Sequence, residues 1–148
     1  LSHLRTLTLS ADGRRLIGQD ALTAATDSQK ARFERLMTEG RLAGVGFALR
    51  FHLHPDVDAT LDMGGTAVSI ALKSGEIWVF RHTSQAVLSL DASVYLQKGR
   101  LKPRAARQIV LSGRATAFDT PLGWTLAKAQ DTALAIRDLD REEMPVPL

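Results

Sequence analysis

Cysteine is absent from this 148-residue sequence, and tyrosine occurs only once. Without a thiol, the chain has no disulfide framework, no thiolate metal site and no cysteine nucleophile. Long apolar runs are also missing: no stretch is long enough to cross a bilayer, and residues 1–10 alternate polar and apolar side chains where a signal peptide has a continuous apolar core. We therefore predict no membrane partner, and the redox compartment stays open.

Length and charge set broad bounds on function. A chain of 148 residues is long enough to form one domain with a real core. The formal charge of +3 and the sequence pI of about 9.7 favour an anionic partner without identifying it. The sequence contains no RNP, KH or zinc-finger pattern, and its aromatic residues lie mostly at core-phase positions. We therefore predict no nucleic-acid partner.

Short runs of alternating polar and apolar residues predict antiparallel strands through most of the chain. Leu7 and Leu9 alternate with polar residues, and Asp12-Gly13 supplies a tight turn before the chain returns. Residues 77–82 are apolar on both faces and predict a central strand that is covered on both sides. We predict an all-β fold, an antiparallel β-sandwich, with further strands at residues 68–72, 86–90, 93–97, 107–112 and 122–127.

Residues 26–39 depart from this pattern and predict one short helix in a long loop. Thr26 and Gln29 fit a capping box at its start, and Gly40 follows its expected end. Helical spacing is shown by the apolar residues Phe33, Leu36 and Met37.

The C-terminal end has weaker signals. Residues 130–139 fit either a last strand or a turn of helix, and residues 140–148, with Pro145 and Pro147, predict an extended tail without an assigned function. We therefore take residues 1–139 as a single sandwich domain.

One predicted strand, residues 47–53 with the residues that follow it, presents a polar face. Its alternation turns one set of side chains towards the core, namely Phe47, Leu49, Phe51 and Leu53. The opposite face presents the candidate substrate-binding residues Arg50, His52 and His54. Two imidazoles followed by Asp56 and Asp58 are ligand types suited to zinc. We favour a polar face against a neighbouring domain, because a His-X-His pair alone is a weak metal signal.

A second candidate surface is basic. Four cations alternate along the chain ahead of Arg107, and Pro103 favours an extended backbone there. Such a row can meet the sulfates or uronate carboxylates of a glycan, but cations on a strand edge also prevent edge-to-edge aggregation. Both interpretations stay open for Lys98, Arg100, Lys102 and Arg104.

The remaining candidates favour structural roles. Trp78 and Trp124 each lie inside an apolar run, so we expect core aromatics and not sugar-stacking platforms. Asp20 is predicted to support a turn after the second strand. Tyr95 has no catalytic motif around it.

The order of several short segments resembles the C-terminal part of bacterial heparinase II/III-like proteins. The match spans nearly the whole chain, although Gln19 stands where the family commonly has Glu, and residues 26–44 form a longer loop. The segments are residues 1–5 (LSHLR), Asp12-Gly13, residues 18–20 (GQD), 50–55 (RFHLHP), 77–80 (IWVF), Pro103-Arg104, 108–111 (QIVL) and 124–126 (WTL).

This resemblance implies a larger parent, with an N-terminal helical toroid and a C-terminal, supersandwich-like β-domain that hold an acidic polysaccharide between them. Such lyases neutralise a uronate carboxylate, remove the C5 proton with a Tyr or His, and expel the C4 oxygen by β-elimination. The family's catalytic residues and its metal-binding His and Asp precede the part matched here. No catalytic or metal residue is therefore carried onto this chain, and a divalent metal belongs to the parent alone.

The resemblance thus implies an accessory domain of a polysaccharide lyase that is inactive by itself and has no cofactor of its own. Its expected partners are acidic polysaccharide and the helical toroid of the parent, and the family implies a periplasmic location. Two alternatives stay open: a stand-alone carbohydrate-binding module, and a structural or interaction sandwich.

Overall fold

The computed structural model describes residues 1–99 and 101–129, where it contains nine strands and one α-helix. The fold is an antiparallel β-sandwich, which confirms the predicted class. The helix α1 is Asp27–Glu39. The strands are β1 Ser2–Leu9, β2 Arg15–Thr23, β3 Val45–His52, β4 Asp58–Asp62, β5 Ala67–Ala71, β6 Ile77–His82, β7 Val87–Tyr95, β8 Arg104–Ala115 and β9 Asp119–Lys128.

Two sheets of unequal size face each other. The larger has the strand order β1-β2-β9-β6-β5-β4, and the smaller has the order β3-β8-β7. Every pairing is antiparallel. The strand β1 lies at an edge of the larger sheet and is exposed along its whole length.

The core lies between the two sheets and consists of alternate residues from facing strands. Leu49, Leu111 and Leu88 stand side by side across the smaller sheet and are at least nine-tenths buried. Phe80 and Trp124 face them from the larger sheet, with ring centroids 5.7 Å apart. This packing confirms that Trp124, which is 5% exposed, is a core residue.

Gly18 makes room for this tryptophan. The two residues are partners across β2 and β9, and the indole lies against the Gly18 backbone. A Cβ atom at this position would come within 2.0 Å of Trp124 Cε2. Only glycine therefore allows the indole to lie flat against β2.

The helix begins as the capping box predicted. The Thr26 hydroxyl accepts a hydrogen bond from the Gln29 backbone N–H, and the Gln29 side chain reaches back to the Thr26 backbone N–H. Gly40 ends the helix by donating its backbone N–H to Leu36. Phe33 is the buried residue of α1 and packs with Ala24 and Ala115.

Some sequence predictions were wrong in detail. The separate strands predicted at residues 86–90 and 93–97 are one continuous strand, β7. The strand β6 lies inside the sheet, but Ile77 is 48% exposed, so it is not covered on both sides. Asp20 lies within β2 and not in a turn. The predictions for residues 130–148, including the domain boundary at residue 139, fall outside the described residues.

Candidate anion-binding end of the sandwich

Three connections meet at one end of the sandwich, which we call the basic end. They are the β3–β4 loop (residues 53–57), the β5–β6 turn (72–76) and the β7–β8 connection (96–103). Antiparallel pairing brings them to the same end, and side-chain contacts between the two sheets join them there. Loops that a rigid sandwich holds together are a common place for binding residues.

Asp56 is the centre of these contacts. Its Oδ1 accepts a hydrogen bond of 2.5 Å from an Arg104 guanidinium nitrogen, and its Oδ2 lies 3.4 Å from Lys73 Nζ. The hydrogen bond from Arg104 lowers the pKa of Asp56, and the hydrogen bond from Lys73 adds to this, although burial opposes it. Asp56 is therefore ionised at neutral pH and serves as the anion shared by two cations.

His54 lies beside this group on the same loop. Its Nδ1 accepts the Asp56 backbone N–H at 3.2 Å and lies 3.8 Å from Asp56 Oδ2. Its ring meets the Tyr95 ring edge to face, with centroids 4.9 Å apart. Tyr95 of β7 stands opposite Arg104 of β8 in the sheet. The aromatic pair of His54 and Tyr95 therefore borders the two cations that share Asp56.

The polar face predicted for residues 47–55 is present. His52 and Arg50 are exposed on the outer face of β3, and His52 Nδ1 lies 2.9 Å from the Ser93 hydroxyl of β7. Because β8 separates these strands, the imidazole lies across the middle of the smaller sheet. The apolar set packs inwards as predicted, with Leu49 buried and Phe47, Phe51 and Leu53 packed against the core.

The predicted row of four cations is not one extended run. Lys98 is in a turn with Gly99, whose φ is +79°, and Lys102 is in a bend, so the backbone reverses between β7 and β8. Arg104 is the first residue of β8 and pairs with Asp56. Arg100 lies outside the described residues. The alternating cations are compatible with an extended strand, and Gly99 is the one strong turn signal in this connection. The sequence pattern alone therefore does not reveal the reversal of the backbone.

A buried carboxylate on the other sheet was not foreseen from the sequence. The Asp20 side chain is fully buried and accepts hydrogen bonds from His3 at 2.5 Å, from Arg5 at 2.7 Å and 3.2 Å, and from Trp124 Nε1 at 2.6 Å. Burial alone would raise the pKa of Asp20, but the bonds from Arg5, Trp124 and His3 outweigh it and lower the pKa. The signal was available, because counting outwards from the Asp12-Gly13 turn places Arg5 opposite Asp20.

Metal binding finds no support in the part of the chain that the structure describes. It contains no group of three or more His, Cys, Asp or Glu side chains placed to hold a metal ion. It also contains no helix that is long and apolar enough to span a membrane.

Comparison with known proteins agrees with this fold. The family model described as Heparinase II/III-like, C-terminal, matches residues 1–131. A curated relative, FtsZ-localized protein C of Caulobacter vibrioides, is 33% identical over 131 residues. That alignment covers 88% of this chain and 21% of the relative, so the chain spans about a fifth of the length of the protein it matches.

Proposed function

Since the chain belongs to the heparinase II/III-like family as its C-terminal domain, we propose that it is the accessory, non-catalytic sandwich of a larger polysaccharide lyase. In this role it contacts the acidic polysaccharide while another part of the parent carries out the β-elimination. The observation that carries the proposal is the basic end, where Lys73 of the β5–β6 turn and Arg104 at the start of β8 meet at one carboxylate.

Charge supports a role in binding polyanions. Lys98 and Lys102 are exposed on the β7–β8 connection and have no ion-pair partner among the described residues, while Lys73 and Arg104 share Asp56. The three connections thus carry more cations than carboxylates in the described chain. Such a surface attracts uronate carboxylates and sulfates, and salt weakens the attraction because exposed charges are screened over roughly 8 Å at physiological ionic strength.

An accessory role follows from what β-elimination requires. A base near the C5 proton and a group that stabilises the developing enolate must be held within reach of the same sugar. His52 is exposed at the end of β3 and His54 is exposed on the β3–β4 loop, and neither histidine has a motif-matched partner for proton abstraction. Poor orientation alone removes many orders of magnitude in rate.

The test uses the purified chain with heparan sulfate, other uronate polysaccharides and alginate. We expect retention on heparin that falls as salt rises, and no unsaturated uronate product in an ultraviolet absorbance assay. Retention should fall in the Arg100→Ala/Arg104→Ala double variant. Sustained product formation that is lost in His52→Ala or His54→Ala would contradict the accessory role.

A second candidate comes from the relative, whose name describes a protein localised with FtsZ. In that case the sandwich is an interaction domain that contributes to placing its parent at FtsZ. Direct binding of the purified chain to purified FtsZ, with no retention on acidic polysaccharide, would favour this candidate over the first.

A further inference from the structure

We propose that Lys73 and Arg104, with Asp56 as their internal counter-ion, form a subsite for the carboxylate of a uronate sugar, bordered by the rings of His54 and Tyr95. This subsite rests on the proposed function and names the chemical group that the basic end recognises. The sequence analysis singled out Arg104 and His54, but only the fold adds Lys73 from the other sheet.

The two cations keep hydrogen-bonding capacity for a ligand. A guanidinium has five N–H donors and an ammonium has three. Among the described residues, Arg104 gives one donor to Asp56, and Lys73 has the same carboxylate as its partner at 3.4 Å. Their side chains are 35% and 74% exposed, so a second anion can reach them without displacing Asp56.

The charge of the cluster also favours an anion. Two cations share one carboxylate, which leaves one net positive charge when Asp56 is ionised. Asp56 therefore orders the two cations and at the same time weakens their attraction for an external anion. Removing its charge with the isosteric Asp56→Asn should strengthen binding, whereas loss of a purely structural contact would leave binding unchanged or weaker.

The geometry suits a planar carboxylate on a sugar ring. The flat guanidinium fork of Arg104 matches a carboxylate through two parallel N–H donors. The edge-to-face pair of His54 and Tyr95 adjoins this fork, since Tyr95 stands opposite Arg104 in the sheet. Aromatic rings offer an apolar face to the C–H groups of a sugar while the fork holds its acidic group.

The experiment measures binding of three probes to the purified chain by calorimetry at low salt. Alginate oligosaccharide carries carboxylates alone, carboxyl-reduced heparin carries sulfates alone, and heparin carries both. We expect Lys73→Ala and Arg104→Ala each to weaken alginate binding roughly two- to fivefold, as one exposed charge contact allows. Asp56→Asn should tighten it by a similar factor.

Arg81→Ala is the matched control, because it removes the same charge from the exposed face of β6 on the larger sheet. It should leave binding unchanged. Unfolding temperatures show which variants keep the fold, and the exposed Lys73→Ala tests the subsite even where a variant of the Asp56–Arg104 pair unfolds.

The outcomes separate the two proposals. Absence of binding by the wild-type chain to all three probes overturns the proposed function and the subsite with it. Wild-type binding that Lys73→Ala and Arg104→Ala leave unchanged overturns the subsite alone. Weaker alginate binding by a folded Asp56→Asn variant also overturns the subsite. The same follows if carboxyl-reduced heparin binds as tightly as alginate and Arg104→Ala weakens that binding, because the site would then not select a carboxylate.

Discussion

Trp124 and Asp20 lie 104 residues apart in the sequence and share a buried hydrogen bond of 2.6 Å between the indole Nε1 and the carboxylate. The same carboxylate receives Arg5 and His3 from the edge strand β1. The Arg5 guanidinium lies 4.9 Å from the centre of the Phe51 ring. One acidic side chain thus joins the edge strand β1 to β9 and to the aromatic core.

Replacing this carboxylate with its isosteric amide should destabilise the fold. Asp20→Asn removes the charge that compensates Arg5 and leaves fewer acceptors for three donors. We expect the free energy of unfolding to fall by at least about 2 kcal/mol, the scale of breaking a buried charged network. Urea unfolding of the variant and of the exposed Asp12→Asn control measures it, and equal stability of the two variants would refute this role.

The contribution of Asp20 should also depend on pH in a defined direction. Because the pKa of Asp20 is lowered in the folded state, its stabilisation is fully present above the unfolded value, near 3.8, and is lost as the pH falls through the folded pKa. The stability difference between wild type and Asp20→Asn should therefore shrink below about pH 4. Urea unfolding of both proteins at several pH values measures this difference in the free energy of unfolding. A difference that grows as the pH falls would contradict the lowered pKa.

Adding one methyl group at Gly18 should disturb the tryptophan. The new Cβ of Gly18→Ala would lie 2.0 Å from Trp124 Cε2, well inside van der Waals contact, so the ring or the strand must move. We expect a loss of roughly 1–3 kcal/mol and a change in tryptophan fluorescence. Gly46→Ala is the control, since a Cβ there meets nothing within 4 Å. Similar stability of the two variants would mean that Trp124 is free to repack.

The capping box should have a measurable but smaller effect. Thr26→Ala removes the hydroxyl that accepts the Gln29 backbone N–H, and an N-cap of this kind contributes about 1 kcal/mol. Thr26→Ser keeps the hydroxyl and should restore most of the loss. Thermal unfolding followed by circular dichroism compares the two, and a serine variant as unstable as the alanine variant would point away from capping.

Much of the fold could be predicted because local signals determine it. The Asp12-Gly13 turn, the alternation in residues 47–53 and the Thr26–Gln29 box each depend on neighbours in the sequence. The candidate site was only half visible. Lys73 and Arg104 belong to different sheets and both contact Asp56 on the loop that connects those sheets. No local sequence pattern predicts contacts between residues so far apart in the chain. Asp20 resembled a turn residue because its partner Trp124 lies on the distant strand β9, and its partners on β1 become visible only when the hairpin register is counted.

The position of β9 has a consequence for folding during synthesis. This strand lies between β2 and β6, and it is the last strand of the described chain to leave the ribosome. Until then the β1–β2 hairpin and the β4–β5–β6 meander can form only as separate pieces, each with an unpaired flank. Joining them closes a loop of about a hundred residues, which is slow and exposes strand edges to other nascent chains.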